Sequence, residues 1–514
     1  LSKRTRCLLK MLTVNNGADH DWANMPLHSM AIGNAADCDL TLRCWKQMRN
    51  EMKSLHVAPI YDKLLKEVTL ALGEVENRGM KVDTEYLKEL DVTLGKRLDD
   101  AVIELNDLSP LDGELNPNST REIADLLFTK EGFGLIPTMV SEKTKAPSIT
   151  EEHLKSVIKG LSSTNPAKIF IEKLLAYKVL SKQYKTYVKG VEAALENNGN
   201  GRIYSQYNFA ATVTGRLSCS KYSAGRKKEQ SKGVSFHTLP RTTADGVNLR
   251  NLMLSDSGKT FIAADFSQAE LRVLAHCSND KNLIDAFKSG EDLHTYTASL
   301  VFSKTLGDVT KEERQVAKSC IFLIVYGGSY KKLAEQIGKS EGYAKDIFSR
   351  FQTQFPGIFK FMKIVNTYTK KNGYSMSLFG RRRNLPNVNS PITRYQYRAL
   401  RQGLNFVIQS STSDMVLNSL LNMQNRINEL GMDDVEILAT VHDSIEVQCD
   451  TENTEAVVKL IKEVMEDITY LKTKYNMDFK VPMKVDVEVG DSFGSVEEVH
   501  FDTNMNPTNL AELL

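Results

Sequence analysis

Apolar positions recur at helical spacing from residue 56 to about 200, and at strand spacing in several short runs beyond it. Leu64, Leu65, Val68, Leu70, Ala71, Leu72 and Val75 form a helical stripe that closes at Asn77-Arg78-Gly79, a glycine-stopped helix end. Stretches 87–105 and 169–195 are longer amphipathic helices with Lys and Glu outside, and 110–147 between them is rich in turn residues. These features predict an elongated helical domain. Period-two patterning then predicts strands over 202–209, 261–265, 435–448 and 479–489, with a long helical block at 280–425. The Ser-, Gly- and Lys-rich stretch 221–233 reads as a mobile loop. Residues 1–55 read as a piece of a separate unit. There Ala35-Ala36-Asp37-Cys38-Asp39-Leu40 is expected to enter a helix through an acidic first turn.

Composition changes this picture little. The chain has 514 residues, 41% apolar and 25% charged, an ordinary globular balance with room for two or more domains. No apolar run approaches the length of a membrane span, so no membrane partner is expected. The basic start Leu1-Ser2-Lys3-Arg4 leads into no apolar stretch, so no secretory signal is read. The missing initiator Met suggests a fragment or a processed product. Seven cysteines without a CxxC predict reduced thiols in a cytosol-like compartment, not disulfides or structural zinc. A net charge of +2 does not announce nucleic acid. Basic residues do cluster at 214–250, with eight Lys or Arg against Glu229 and Asp245, and at Arg381-Arg382-Arg383. Such runs are more often solvated faces than phosphate sites.

Three segments carry chemistry. In the first, an apolar strand Phe261-Ile262-Ala263-Ala264 delivers Asp265 at its end and a helix follows. A metal acid and a helix cap are both consistent with that placement. In the second, Thr440-Val441-His442-Asp443-Ser444-Ile445-Glu446-Val447 alternates as a hairpin strand, with Asp443 beside a histidine. In the third, Arg314, Lys318, Phe322 and Tyr326 recur every four residues and share one helical stripe, with Val316, Ile321, Leu323, Ile324 and Val325 opposite as core. Two cations can hold a triphosphate and two aromatics can stack on base and sugar. Two carboxylates from different strands suit Mg²⁺, which takes oxygen ligands and shares them with phosphate. Together the segments fit in-line nucleotidyl transfer.

The order Asp265-x-Ser267-Gln268-x-Glu270-Leu271-Arg272, then Arg314-x3-Lys318-x3-Phe322-x3-Tyr326-Gly327, then His442-Asp443 resembles motifs A, B and C of family A DNA polymerases. Thr214-Gly215-Arg216-Leu217-Ser218, Asp292-Leu293-His294, Gly380-Arg381-Arg382 and Arg401-x3-Asn405-x3-Gln409 extend the likeness over about residues 56–500. The resemblance implies an α+β multi-domain right-hand fold with a helical thumb, an antiparallel-sheet palm and helical fingers. Thumb would be 56–200, palm 201–284 and 426–514, and fingers 285–425. It implies a template-directed polymerase that adds deoxynucleotides to a primer 3′ end with two Mg²⁺ ions. Asp265, Asp443 and the Phe266 carbonyl would hold the metals, and Lys318 would be the general acid. Arg314, Lys318, Phe322, Tyr326, Gln268 and His294 would bind the nucleotide, with Glu270 the steric gate against a 2′-hydroxyl. Arg216, Arg401, Asn405, Gln409 and His442 would touch primer–template DNA, testing pair shape through minor-groove acceptors that all correct pairs share. Partners would be primer–template DNA, dNTPs and a replisome or processivity factor. The short, divergent form fits a bacterial or phage-infected cytoplasm or an organelle, and not secretion.

The sequence also departs from the family. Ser444 stands where Glu usually follows the motif C aspartate, and Glu446, on the same strand face, is a candidate substitute. Leu323 replaces a frequent glycine. Residues 220–238 are longer than the usual link, and they carry His237-Thr238 in place of a Gln-Asn pair. Their basic character suggests an added DNA clamp. The N-terminal segment resembles the last motif of a 3′–5′ exonuclease, with Asp37 its remaining metal acid and Gly33 where Tyr is expected. The upstream acidic motifs are absent, which implies no proofreading by this chain. A single-subunit RNA polymerase would carry a small residue at Glu270, and a catalytically silent DNA-binding protein would have lost the metal acids.

Overall fold

The computed structural model describes residue 24 and residues 26–140, 146–221, 233–241 and 246–514. Helix α1 (Leu27–Ser54) begins directly after Pro26, and none of its residues is buried. It starts ten residues before Asp37, not at the acidic turn. Proline is well placed at a helix entry, and nothing between it and Asp37 breaks the helix. Asp39 instead pairs with Arg43 one turn on, at 2.7 Å. Helix α2 (Lys66–Arg78) buries Val68, Ala71, Leu72 and Val75 and stops at Gly79, φ +62°. A Cβ there would strike the Ile203 carbonyl and the Tyr204 ring. Leu70, counted in the stripe, faces solvent.

Strand β1 (Met80–Val82) leads into α3 (Thr84–Asp107). Its cap, Asp83, accepts the Glu85 and Tyr86 amides at 3.1 and 2.9 Å, a contribution of about 1 kcal/mol. Helix α4 (Pro166–Gln183) starts on a proline behind the Asn165 cap. It packs against α3, and with the helix Thr120–Phe128 the two enclose Leu105, Ile123, Leu126, Leu154, Phe170 and Leu174 in a core of their own.

β2 (Arg202–Ile203) pairs with β1, and β3 (Ser205–Asn208) with β4 (Ser218–Lys221). β5 (Met253–Leu254) completes a three-stranded sheet on β1. β6 (Lys259–Phe266) is the central strand of a five-stranded sheet. The helical block follows, with α5 (Ala269–Ser278), α6 (Leu293–Phe302), α7 (Lys311–Val325) and α8 (Thr393–Leu430). The hairpin β7 (Tyr374–Met376) and β8 (Arg382–Asn384) interrupts that block, turning at Gly380, φ +87°. Strand β9 (Glu436–Val441), β10 (Ser444–Asp450), helix α9 (Thr454–Glu466), β11 (Val485–Gly490) and β12 (Val496–Glu498) return the chain to the sheet. Its order is β12-β11-β6-β10-β9, antiparallel throughout. The strand expected from 479 begins only at Val485. Pro482 has no N–H for a ladder, and its carbonyl accepts Arg272 Nη1 at 2.6 Å instead.

Residues opposed across an antiparallel ladder share a face. Ile262, Ala264, Ile445, Val447, Val485 and Val487 therefore line one side, where they join Leu417 and Leu420 of α8 and Val457 and Ile461 of α9 in one core. Each buried aliphatic side chain there contributes roughly 1.5–3 kcal/mol. On the other side Asp265 stands between Ser444 and Asp486, and Ala263 between Glu446 and Glu488. Among the described residues no helix is long and apolar enough to cross a membrane.

Candidate active site

Asp265 sits at the end of β6 and caps no helix. The N-cap of α5 is Gln268, left-handed at φ 55° and without a side-chain cap bond. Two backbone bonds hold the strand end, from Phe266 N to the Asp443 carbonyl at 3.3 Å and from Ser267 N to the Lys484 carbonyl at 2.9 Å. The first ties the two acid-bearing segments together. Asp265 is open to water, but it lies on a floor crowded by protein. Burial, then the charges of Asp443, Asp486 and Glu488, push its carboxyl up to about 7. Asp443 is also raised by burial, against the pull of Arg216 and His442. Among the described residues no three His, Cys, Asp or Glu side chains converge to hold an ion. Two carboxylates that share an ion with phosphate oxygens are still a suitable magnesium donor set.

Asp443 is presented by a two-residue turn between β9 and β10, with His442 at φ +60°. Glycine or asparagine normally fills such a position, so the tip carries backbone strain of roughly 1 kcal/mol or more. Side chains hold it shut. Thr440 Oγ1 donates to the Ser444 carbonyl at 2.9 Å, and Ser444 Oγ lies 3.0 Å from the Val441 carbonyl and 2.5 Å from Glu446 Oε1. Glu446 is 1% exposed, and its Oε2 has no hydrogen-bond partner. Burial pushes its carboxyl up to about 7, with the Ser444 bond and Arg250 opposing. One hydroxyl hydrogen cannot serve both the Val441 carbonyl and Glu446. The geometry is satisfied when protonated Glu446 donates to Ser444 Oγ and Ser444 donates onward.

Helix α7 opens on a capping box, Thr310 with Glu313. The sequence stripe holds along it. Val316, Ala317, Cys320, Ile321, Leu323 and Ile324 are buried, while Arg314, Lys318 and Phe322 are half-buried on the other side. The side chain of Val325 lies outside the described residues. Arg314 grips Asp292 through two bonds, at 2.8 and 2.9 Å. Burial would raise the Asp292 carboxyl, but the bonds from Arg314 and Thr295 hold it well below the usual range. His294 is buried, and chiefly that burial lowers its pKa from the usual histidine value; its ring lies 6.1 Å from Phe322, and Nδ1 is without a partner among the described residues. Lys318 makes no ion pair among the described residues.

Tyr326 lies one residue beyond the helix, as its C-cap, and donates its hydroxyl to Glu270 Oε2 at 2.9 Å. Glu270 also pairs with Arg216, and Gln409 reaches the Tyr326 hydroxyl. Gly327, φ +66°, leaves room for Arg401, whose Cγ would be 2.8 Å from a Cβ there. Arg401, Asn405 and Gln409 follow one another at four-residue steps on α8. The carboxamide oxygen of Asn405 is buried and unpartnered. The end of α7, the Arg216 loop, Glu270 and α8 are thus joined by direct contacts, and Arg216 acts electrostatically on Asp443. Gln268 is exposed beside them, and Asp37 is exposed on α1.

Sequence reasoning missed several supporting residues. Arg381 is not part of a solvated charge run. Its Nε donates to Asp414 Oδ1 at 2.6 Å, with Asp414 fully buried on α8. That arginine fills the space a side chain at Gly215, φ +74°, would need, and Ser413 Oγ donates to the Gly215 carbonyl at 3.0 Å. The pair thereby braces the loop that carries Arg216. Asp486 and Glu488 were legible in the alternation Val485-Asp486-Val487-Glu488-Val489, which puts both acids on one face. Most of the expected basic clamp, residues 222–232, lies outside the described residues.

The family model described as DNA polymerase family A matches residues 84–495. DNA polymerase I of Chloroflexus aurantiacus is 31% identical over 477 residues, 92% of this chain and 47% of that protein. The thermostable DNA polymerase I of Thermus aquaticus is 28% identical over 454 residues, 88% of this chain and 50% of its own length. The chain thus spans about half the length of the curated relatives it matches. Among solved structures, the POL domain of Pol1 from M. smegmatis, in complex with DNA primer-template and dNTP, matches with a TM-score of 0.71 and 26% identity, over 87% of this chain and 73% of that one. The mixture of helices with an antiparallel sheet is the right-hand polymerase fold. With four-fifths of its length inside the family model, the chain belongs to DNA polymerase family A.

Proposed function

We propose that this chain is a template-directed DNA polymerase that adds deoxynucleotides to a primer 3′ end by two-metal phosphoryl transfer. The supporting observation is the run of direct contacts from Arg216 through Glu270 and Tyr326 to Gln409, with Arg216 also acting electrostatically on Asp443, which gathers residues spread over some two hundred positions. In this reading 56–200 is the thumb, 201–284 and 426–514 the palm, and 285–425 the fingers. Residues 1–55 belong to an exonuclease-like unit.

Asp265, Asp443 and the Phe266 carbonyl would hold two Mg²⁺ ions, which when bound activate the primer hydroxyl and neutralise charge on the transferred phosphoryl group. Lys318 and Arg314 lie about 12 and 18 Å back from Tyr326 along the helix, a reach suited to a triphosphate tail. Arg314 comes to it already oriented by Asp292. Lys318 Nζ is the proton donor to the departing pyrophosphate, and His294 and Gln268 flank the phosphates. Phe322 faces the sugar. Glu270, fixed between Arg216 and Tyr326, walls off the space a 2′-hydroxyl would fill. His442, Arg401, Asn405, Gln409 and Arg216 face the primer–template end. Glu446 braces the hairpin as a buried carboxyl that holds its proton up to about pH 7, and is not a metal ligand. The setting is DNA replication in a bacterial or phage-infected cytoplasm or an organelle, with a processivity factor as a further partner.

The test is primer extension with purified chain, primer–template DNA, Mg²⁺ and either dNTPs or rNTPs. Extension with dNTPs alone supports the reading. Preference for rNTPs would support an RNA polymerase. DNA binding without extension would support a silent replication protein.

A further inference from the structure

β9 is the outermost strand of the central sheet, so among the described residues one edge of its backbone has no strand beside it. At Thr440 that edge is closed by side chains from two other segments. Thr440 N donates to the Tyr207 hydroxyl at 3.2 Å, and the Thr440 carbonyl lies 2.9 Å from His237 Nε2. A carbonyl only accepts, so Nε2 carries the hydrogen. Burial pushes His237 down to about 4, and its ring is therefore neutral at working pH.

The same ring makes a second contact. It lies 5.9 Å from the Tyr207 ring and 5.2 Å from the His442 ring, both within the range of favourable aromatic pairs. Tyr207 is anchored from behind, its amide donating to Glu76 Oε1 on α2 at 2.5 Å. His237 is anchored too. It lies in the short helix Phe236–Thr238, where Ser235 Oγ donates to the Cys219 carbonyl at 2.7 Å and Tyr187 donates to the Thr238 carbonyl. His442 is the opposite case. It is exposed, at the tip of a two-residue turn, with a strained backbone. A rigid ladder of rings thus runs from α2 to the one exposed histidine beside Asp443. The hydrogen bond to Thr440 holds the His237 ring in place, and the ring also meets an exposed ring at the site.

We propose that His237 is a positioning residue: its ring sets the orientation in which His442 meets the primer end. The inference rests on the reading of His442 as a primer-end contact. It gives a role to a residue that departs from the family's usual Gln-Asn pair.

The two functions of His237 can be separated by substitution. His237→Gln keeps a donor for the Thr440 carbonyl and removes the ring, while His237→Phe keeps a ring and removes the donor. Each is compared with His442→Ala and with the double variant His237→Gln/His442→Ala, by extension from matched and mismatched primer ends and by thermal melting. His237→Gln should melt near the wild type yet lose about tenfold or more in preference for matched ends, the scale of a displaced contact group. The double variant should be no worse than His442→Ala alone, and His237→Phe should melt lower but keep the preference. Undiminished preference in His237→Gln, or losses that multiply in the double variant, would overturn the proposal while leaving the role of His442 intact. Undiminished preference in His442→Ala, or no extension by the wild type, would overturn the reading of His442 and the proposal together.

Discussion

Replacing Glu446 by Gln tests the hairpin that presents Asp443. Glu446 is buried, and its carboxyl is raised from an ordinary 4.5 to about 7, chiefly by burial. Because the folded protein binds this proton more tightly than the unfolded chain, the stabilisation is complete below about 4.5. It is lost as pH rises through 7. A rise of that size corresponds to a ceiling on the order of 3 kcal/mol at pH 8. Gln is neutral at every pH, nearly the same shape, and its amide can donate to Ser444 Oγ as the protonated acid does. Metal-free Glu446→Gln should therefore unfold with the wild type at pH 5 and gain stability progressively to pH 8. Asp265, also raised to about 7, is present in both proteins, and its charge is one of the smaller contributors to the rise at Glu446. Denaturant midpoints at pH 5, 6.5 and 8 measure it. An equal offset at all three, or a less stable variant at pH 8, would refute the assignment of Glu446 as a buried neutral brace. Extension by the variant should stay within a few-fold of wild type. Its loss in a folded variant would mean that the carboxylate serves the metals after all.

Glu270→Ala removes the acceptor shared by Arg216 and Tyr326 and, in the proposed reading, opens the wall beside the sugar. Competition between dNTPs and rNTPs should show ribonucleotide insertion rising by at least tenfold relative to deoxynucleotide, and an unchanged ratio would contradict the gate. Asp414→Ala strips the partner from a largely buried Arg381, so it should destabilise the protein by about 3–5 kcal/mol in urea unfolding. Asp414→Leu together with Arg381→Leu should recover part of that loss, while a single variant as stable as wild type would argue against the strut.

Helices and strands with a strong period were legible in the sequence: α2 down to its stop at Gly79, α3, α4, β6, and the β9–β10 hairpin. The α7 stripe could be read as well, because one face had to be continuous core. What could not be read depends on contacts distant in sequence. Arg381 looked like a member of a surface charge cluster because Asp414 lies 33 residues away. Asp292 gave no sign of gripping Arg314, 22 residues on. His237 looked like a family departure in a loop, since its partners Thr440 and His442 lie some two hundred residues downstream. The start of α1 was misjudged for a local reason, an acidic pair outranking Pro26. In the candidate site, residue types and spacing suggested the acids and the cations. The fold supplied what fixes their direction.

The central claim is that Asp443, presented with Asp265 at adjoining strand ends, makes DNA. Its most direct test is primer extension by the wild type and by Asp443→Ala, with Mg²⁺ and dNTPs, alongside primer–template affinity for both. The account predicts templated extension by the wild type. It predicts a loss of about a thousandfold or more in the variant, with DNA still bound. Extension by Asp443→Ala at a rate near that of the wild type would contradict it.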